Sequence, residues 1–130
     1  MSDYTIVNIR EHENIAPQFG MPEELEARFP KKALNCEIGA VGLLTLGPGF
    51  RNPFGHRQKT QEELYVVVRG SGRVKLDDEI VDVREWDVIR VPPQVMRNFE
   101  AGDEGIDVLA FGAPISEEND GELVPGWWTD

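Results

Sequence analysis

Residues 55–70 read GHRQKTQEELYVVVRG, residues 73–83 read RVKLDDEIVDV and residues 86–99 read WDVIRVPPQVMRNF. Their apolar residues group into short β-type runs bounded by turn residues, the pattern of strands. Asp77-Asp78 sits between two such runs and is a two-residue hairpin turn. That loop pairs Leu76 with Glu79, Lys75 with Ile80, Val74 with Val81 and Arg73 with Asp82, so Val74, Leu76, Val81 and Val83 share one face. Arg73 and Asp82 then face each other on the other side, an exposed ion pair worth a few tenths of a kcal/mol. Ile80 is the misfit on that polar face and marks a contact with another sheet or subunit.

Working outward, further strands are expected at Cys36–Leu46, Glu63–Arg69, Val88–Val91, Val95–Glu100 and Asp107–Phe111. Gly47-Pro48-Gly49, Gly70-Ser71-Gly72, Pro92-Pro93 and Gly102-Asp103-Glu104-Gly105 supply the turns between them. Short strands joined by turns, without intervening helices, give an all-β sandwich or barrel rather than a parallel α/β sheet. Residues 1–35 form an N-terminal arm with a candidate strand at Tyr4–Ile9. The arm also holds a helical turn, opened by Pro22 and running through Glu23, Glu24 and Glu26 to Phe29-Pro30. The barrel is expected over residues 36–112, and residues 113–130 form an acidic tail ending in Trp127-Trp128.

The chain has 130 residues and a net charge of −11, of which −2 falls in residues 1–35, −4 in 36–112 and −5 in 113–130, where no Lys or Arg occurs. One hydrophobic core suffices at this length. An acidic surface repels phosphates and anionic lipid, so neither nucleic acid nor membrane is an expected partner. No stretch approaches the ~18 consecutive apolar residues of a membrane span, and MSDYTIVNIREHE lacks the basic and apolar regions of a leader. A single cysteine, Cys36, excludes an intrachain disulfide and fits a reducing compartment. These features together predict a cytoplasmic protein. Cys36 is read as a buried small hydrophobe. Residues 116–122 are expected to be mobile while Trp127 and Trp128 pack against the protein's own sheet or a subunit partner.

The two longest quoted segments also resemble the paired motifs of the cupin superfamily, the small single-domain conserved-barrel type, over residues 40–112. The first motif, His-x-His followed by Glu and Gly, is matched by His56, Gln58, Glu63 and Gly70. The second, Gly-Asp, a short apolar strand, Pro-x-Gly and His, is matched by Trp86-Asp87, Pro92, Gln94 and Arg97. The resemblance implies a double-stranded β-helix, or jelly-roll, barrel with a pocket at one mouth. In many members three imidazoles and a carboxylate there hold a divalent metal.

This chain keeps His56 and Glu63 of that ligand set. Gln58 offers an amide in place of one imidazole, a weaker ligand. Arg97 offers none, because a guanidinium has no lone pair to give and repels a cation. The metal site is therefore degenerate, and no cofactor is expected. In the family both Glu63 and Arg97 point into the barrel, so Arg97 is expected to donate to Glu63 as an internal ion pair. His56, Gln58, Glu63, Tyr65, Arg97 and Phe99 are the candidate ligand-binding residues, facing a small polar or anionic metabolite. His56 is the group able to exchange a proton near neutrality. His12, Arg57 and Lys59 are read as surface residues, and Arg51 and Arg90 as possible neighbours of the cavity.

The first expectation is thus a metal-independent protein that binds, senses or acts on a small molecule. The alternatives are a metal-dependent isomerase, dioxygenase or decarboxylase using His56, Gln58 and Glu63 with one divalent transition metal, and a non-catalytic assembly module. The fold alone does not choose between them, nor between binding and turnover. A homodimer is the expected assembly, from the resemblance and from the apolar misfits.

Overall fold

The structure is a computed structural model that describes residues 3–114 and 121–128. Among the described residues, eight strands build a single curled antiparallel sheet: β1 (Leu25–Arg28), β2 (Ala40–Leu46), β3 (Phe54–Arg57), β4 (Glu62–Leu76), β5 (Glu79–Arg84), β6 (Val88–Val91), β7 (Arg97–Ala113) and β8 (Glu122–Pro125). Among the described residues, helical structure is confined to one-turn pieces at Ile9–Glu11, Ala16–Phe19 and α1 (Lys31–Leu34), all near the N-terminus. The fold is the expected all-β jelly roll.

Its spine is the long pairing of β4 with β7, from Glu62 opposite Ala113 to Leu76 opposite Arg97. Gly70-Ser71-Gly72 and Gly102–Gly105 were expected to be turns. They lie instead inside these two strands, at register shifts between Val67 and Arg69 and between Gly70 and Gly72. Such irregularities bend a strand without ending it, and so let one pair of strands wrap the barrel. Gly70 is needed there: its φ is +75°, and a Cβ would run into the carbonyl oxygen of Gly105 on β7. Trp86 occupies the motif's other glycine position and keeps its left-handed backbone, with φ +74°.

The Asp77-Asp78 hairpin has the register read from the sequence, Leu76 with Glu79 through Arg73 with Asp82. Val74 and Val83 are buried on its inner face, but Val81 is exposed, because β5 pairs with β4 alone and its outer edge is uncovered. On the other face Lys75 is buried rather than solvated, and Ile80 lies half-buried opposite it. Arg73 donates from Nε and Nη2 to Glu100 on β7.

The flanks differ most from expectation. Tyr4–Asn8 is not a strand, and the segment read as a helical turn contains β1, whose Leu25 to Arg28 pair with Leu46 to Leu43 of β2. The Pro-Glu-Glu pattern favours a helix start locally, but Leu25 and Ala27 alternate inward, and burying them against the core decides for strand. Helix occurs after Pro30 instead. Cys36 follows it, only partly buried and before β2 begins. At the other end β8 adds to β3, with Arg57 and Glu122 bridged by two 3.0 Å hydrogen bonds. The sheet therefore takes strands from both sides of residues 36–112. The expected mobility of residues 116–122 falls outside the described residues except at its last two positions.

The core is formed by Leu25, Leu46, Tyr65, Val67, Val74, Val91, Phe99, Ile106 and Val108, which face inward from β1, β2, β4, β6 and β7. Trp127 and Trp128 close one side. Trp127 packs over Gly55 and Met96 and takes the Lys75 ammonium on its face at 4.3 Å, while Lys75 also donates to the Trp127 carbonyl at 2.6 Å. Trp128 donates to the Asn52 carbonyl at 2.7 Å and lies under the Arg51 guanidinium at 4.3 Å. This is the packing against its own sheet that the sequence suggested.

Candidate functional site

Three strands bring the polar residues together. On β4, alternation points Glu63, Tyr65 and Val67 inward, and all three are buried. On β7, Arg97 and Phe99 do the same. β3 places His56 directly opposite Arg97 on one side and Leu123 of β8 on the other, so the three side chains share a row across the sheet. The result is a cavity of about 250 Å³. Phe54, Tyr65, Phe99, Leu44 and Ala110 line its walls, Ile15, Met21 and Phe29 reach in from the N-terminal arm, and His56, Glu63, Arg97, Asn52 and Asn98 supply polar atoms.

Glu63 is the hub. Its Oε1 accepts a 2.7 Å hydrogen bond from the Tyr65 hydroxyl and lies 3.9 Å from both His56 Nδ1 and Arg97 Nε. Burial, followed by the nearby Glu63 charge, raises the Tyr65 pKa well above its ordinary value, so the phenol stays a donor. Arg97 is 1% exposed. Its Nη1 donates to the His56 carbonyl at 3.3 Å and its Nη2 to the Pro92 carbonyl at 3.0 Å. Nε has no hydrogen-bond partner among the described residues. The expected donation to Glu63 is thus corrected: the charges pair at 3.9 Å without a hydrogen bond, because two backbone carbonyls hold the guanidinium where it is.

His56 Nε2 lies 3.2 Å from the Gln58 amide nitrogen. With that amide donating, the ring accepts at Nε2 and carries its proton on Nδ1, towards Glu63. Burial lowers the His56 pKa; Glu63 opposes this and Arg97 adds to it, so the ring is neutral at pH 7. Gln58 is buried and supports His56 from outside the cavity lining.

His56, Glu63, Tyr65, Arg97 and Phe99 therefore converge, with Gln58 behind them. Asn52, Phe54 and Leu123 were not anticipated. Phe54 shares the His56 face of β3, and Leu123, 61% exposed, reaches only the rim of the cavity, a placement that follows from the pairing of β3 with β8. Asn52 precedes β3 in a loop and carries no sequence signal. Arg51 and Arg90 do not line the cavity: Arg51 is spent on Trp128 and Glu100, and Arg90 reaches the exposed Glu62 at 3.5 Å. Arg57 is partly exposed, as expected, and is tied to Glu122. Among the described residues no three His, Cys, Asp or Glu side chains are grouped to hold a metal. No helix among them is long and apolar enough to cross a membrane.

No family model matches the chain. Over 70 residues it is 30% identical to an uncharacterized protein, MJ1618, of Methanocaldococcus jannaschii, a stretch covering 53% of this chain and 56% of that protein. Among solved structures it is similar to the cupin protein BF4112 of Bacteroides fragilis, at TM-score 0.72 and 21% identity over 92% of this chain and 91% of that one. A Streptomyces PAC13 variant with uridine superposes at TM-score 0.74 and 18% identity, covering 95% and 92% of the two chains. Oxalate decarboxylase of Bacillus subtilis gives TM-score 0.70 and 24% identity over 91% of this chain and 32% of that one. At these identities the likeness establishes the fold: the chain has the cupin fold.

Proposed function

We propose that this chain is a small-molecule-binding cupin whose cavity works without a metal. The observation that carries the proposal is Arg97, which stands at the position of a motif histidine with its guanidinium buried, its Nε unpartnered and Glu63 at 3.9 Å. A divalent ion among His56, Gln58 and Glu63 would meet a permanent cation within contact range of its only carboxylate ligand. The donor set therefore does not fit a first-row metal, and no step is assigned to one. A mostly apolar cavity with a few convergent polar groups, His56, Glu63 and Asn98 among them, is instead the lining of a small-molecule pocket. The uridine of the PAC13 structure supports a small polar molecule as the kind of occupant.

The test is a thermal-shift and calorimetric screen of small polar metabolites with a chelator present. Binding should survive the chelator and be lost when Ala110 in the cavity wall is enlarged by Ala110→Met. Binding that requires added nickel, iron or zinc, and that fails in His56→Ala and Glu63→Ala, would overturn the proposal in favour of a metalloenzyme.

A homodimer is part of the proposal. Val41, Phe111 and Leu64 form a continuous cross-strand row on the outer face, with Phe111 and Leu64 each 40% exposed. Sedimentation should show a dimer that Phe111→Arg converts to a monomer, and a natural protein that sediments as a monomer contradicts this part.

A further inference from the structure

We infer, resting on the cavity reading above, that the occupant is an amphiphile longer than the cavity, with its polar end inside near Glu63 and His56 and its apolar body leaving across the mouth.

Volume sets the first limit. The cavity measures about 250 Å³, below the ~300 Å³ where small-molecule pockets usually begin. At ~30 Å³ for each water-sized group it holds about eight non-hydrogen atoms. An occupant of ordinary size therefore extends beyond it.

The mouth shows where the rest lies. A side chain that lines a cavity and is also largely exposed stands where the cavity meets solvent. Phe19 is 71% exposed, Leu123 61% and Phe29 45%, and all three line this cavity. They come from three separate segments: the turn Ala16–Phe19, strand β8, and the residue that follows β1. Phe29 rests against Gly42 of β2, where a Cβ would collide with its ring. Large apolar side chains gathered in the open at one cavity mouth are surface for an apolar group to cover.

Polar groups lie at the other end. Arg97, His56 and Leu123 form one row across the sheet, running from a buried side chain through a partly buried one to an exposed one. Two strand spacings, about 10 Å, separate its ends. Glu63 sits beside Arg97 at the buried end. A group that reaches Glu63 or His56 passes Phe54, Phe99 and Leu44 in the walls and then the three rim side chains. The net charge of −11 argues against an anionic lipid surface as the source; the occupant is a free molecule.

A homologous series with one constant head group tests this: 1-hexanol, 1-octanol and 1-decanol, each below its solubility limit, titrated against the full chain and followed by protein NMR shifts of cavity residues. 1-Hexanol fits within the cavity and reports on the cavity alone. A methylene taken fully out of water is worth about fourfold in affinity, and one resting on an exposed rim about twofold, so decanol should bind about fourfold more tightly than octanol. In Phe19→Ser/Leu123→Ser that ratio should fall to about one; both side chains are exposed, so the variant keeps its core. Hexanol binding with equal octanol and decanol affinities in the natural chain would overturn the amphiphile and leave the cavity reading intact. A ratio that survives in the variant would overturn the rim as the seat of the apolar body. Co-sedimentation of the chain with phosphatidylcholine vesicles would overturn the free molecule in favour of a membrane. Binding of none of the three alcohols would sink the cavity reading itself.

Discussion

Replacing Arg97 by Met keeps most of the side-chain volume and removes the charge and its donors, so the cost comes from the partners left behind. The carbonyls of His56 and Pro92 each lose a donor, worth about 1 kcal/mol apiece. Glu63 loses its cation at 3.9 Å, and stripping one member from a buried pair costs about 3–5 kcal/mol in all. Glu63 keeps the Tyr65 hydroxyl and opens on the cavity, which places the total at the lower end, about 3 kcal/mol. For a domain of 130 residues that lowers Tm by about 10 °C. Glu63→Gln leaves the guanidinium on its two carbonyls and should cost less, about 1–2 kcal/mol. Because the pair is coupled, the double variant should cost less than the sum by about 1 kcal/mol. Urea unfolding followed by tryptophan fluorescence measures all three. A larger loss from Glu63→Gln than from Arg97→Met, or strict additivity, would refute the arrangement in which backbone carbonyls hold Arg97 and Glu63 answers its charge.

Trp127→Ala and Trp128→Ala should each lower stability by about 1–2 kcal/mol, through a lost cation–π contact and a half-buried indole; unchanged unfolding midpoints would show the C-terminal tryptophans to be passive. Trp128→Phe, which keeps the ring under Arg51 but not the bond to the Asn52 carbonyl, should cost about 1 kcal/mol. Burial pushes the Asp107 pKa up, but hydrogen bonds from Arg69, Arg10 and Thr45 outweigh it and hold the group below its ordinary 3.8. The unfolded chain then binds the proton more readily, so this contribution is fully present above that value and is lost as pH falls through the lower folded value. Stability measured against pH should therefore drop on the acid side, and Asp107→Asn should flatten that limb; an unchanged slope would count against the Arg10–Asp107–Arg69 cluster.

The barrel and half of its site were legible because they depend on local rules. A two-residue loop fixes the register of β4 and β5, and alternation then turns Glu63 and Tyr65 inward together. Arg97 in place of a ligand was readable once the motif resemblance had set its position, because a guanidinium cannot ligate a metal. What stayed hidden depends on pairing between distant segments. Leu25–Arg28 looks helical until Leu43–Leu46 is beside it. Glu122–Pro125 looks like acidic tail until Phe54–Arg57 offers an edge, and the exposed Leu123 reaches the cavity rim only by that route. Lys75 reads as an outward residue because the tryptophan that covers it lies 52 positions away. The hydrogen-bond partners of Arg97 are backbone carbonyls, which no side-chain pattern announces.

The metal content of the natural chain, purified without a chelator and without a metal-affinity step, tests the central claim most directly. Elemental analysis should find iron, manganese, nickel and zinc well below one equivalent. Loading with nickel should leave the natural chain unchanged but fill Gln58→His/Arg97→His, which restores three imidazoles and a carboxylate. One equivalent of a transition metal in the natural chain, lost on changing His56 or Glu63, would contradict the account.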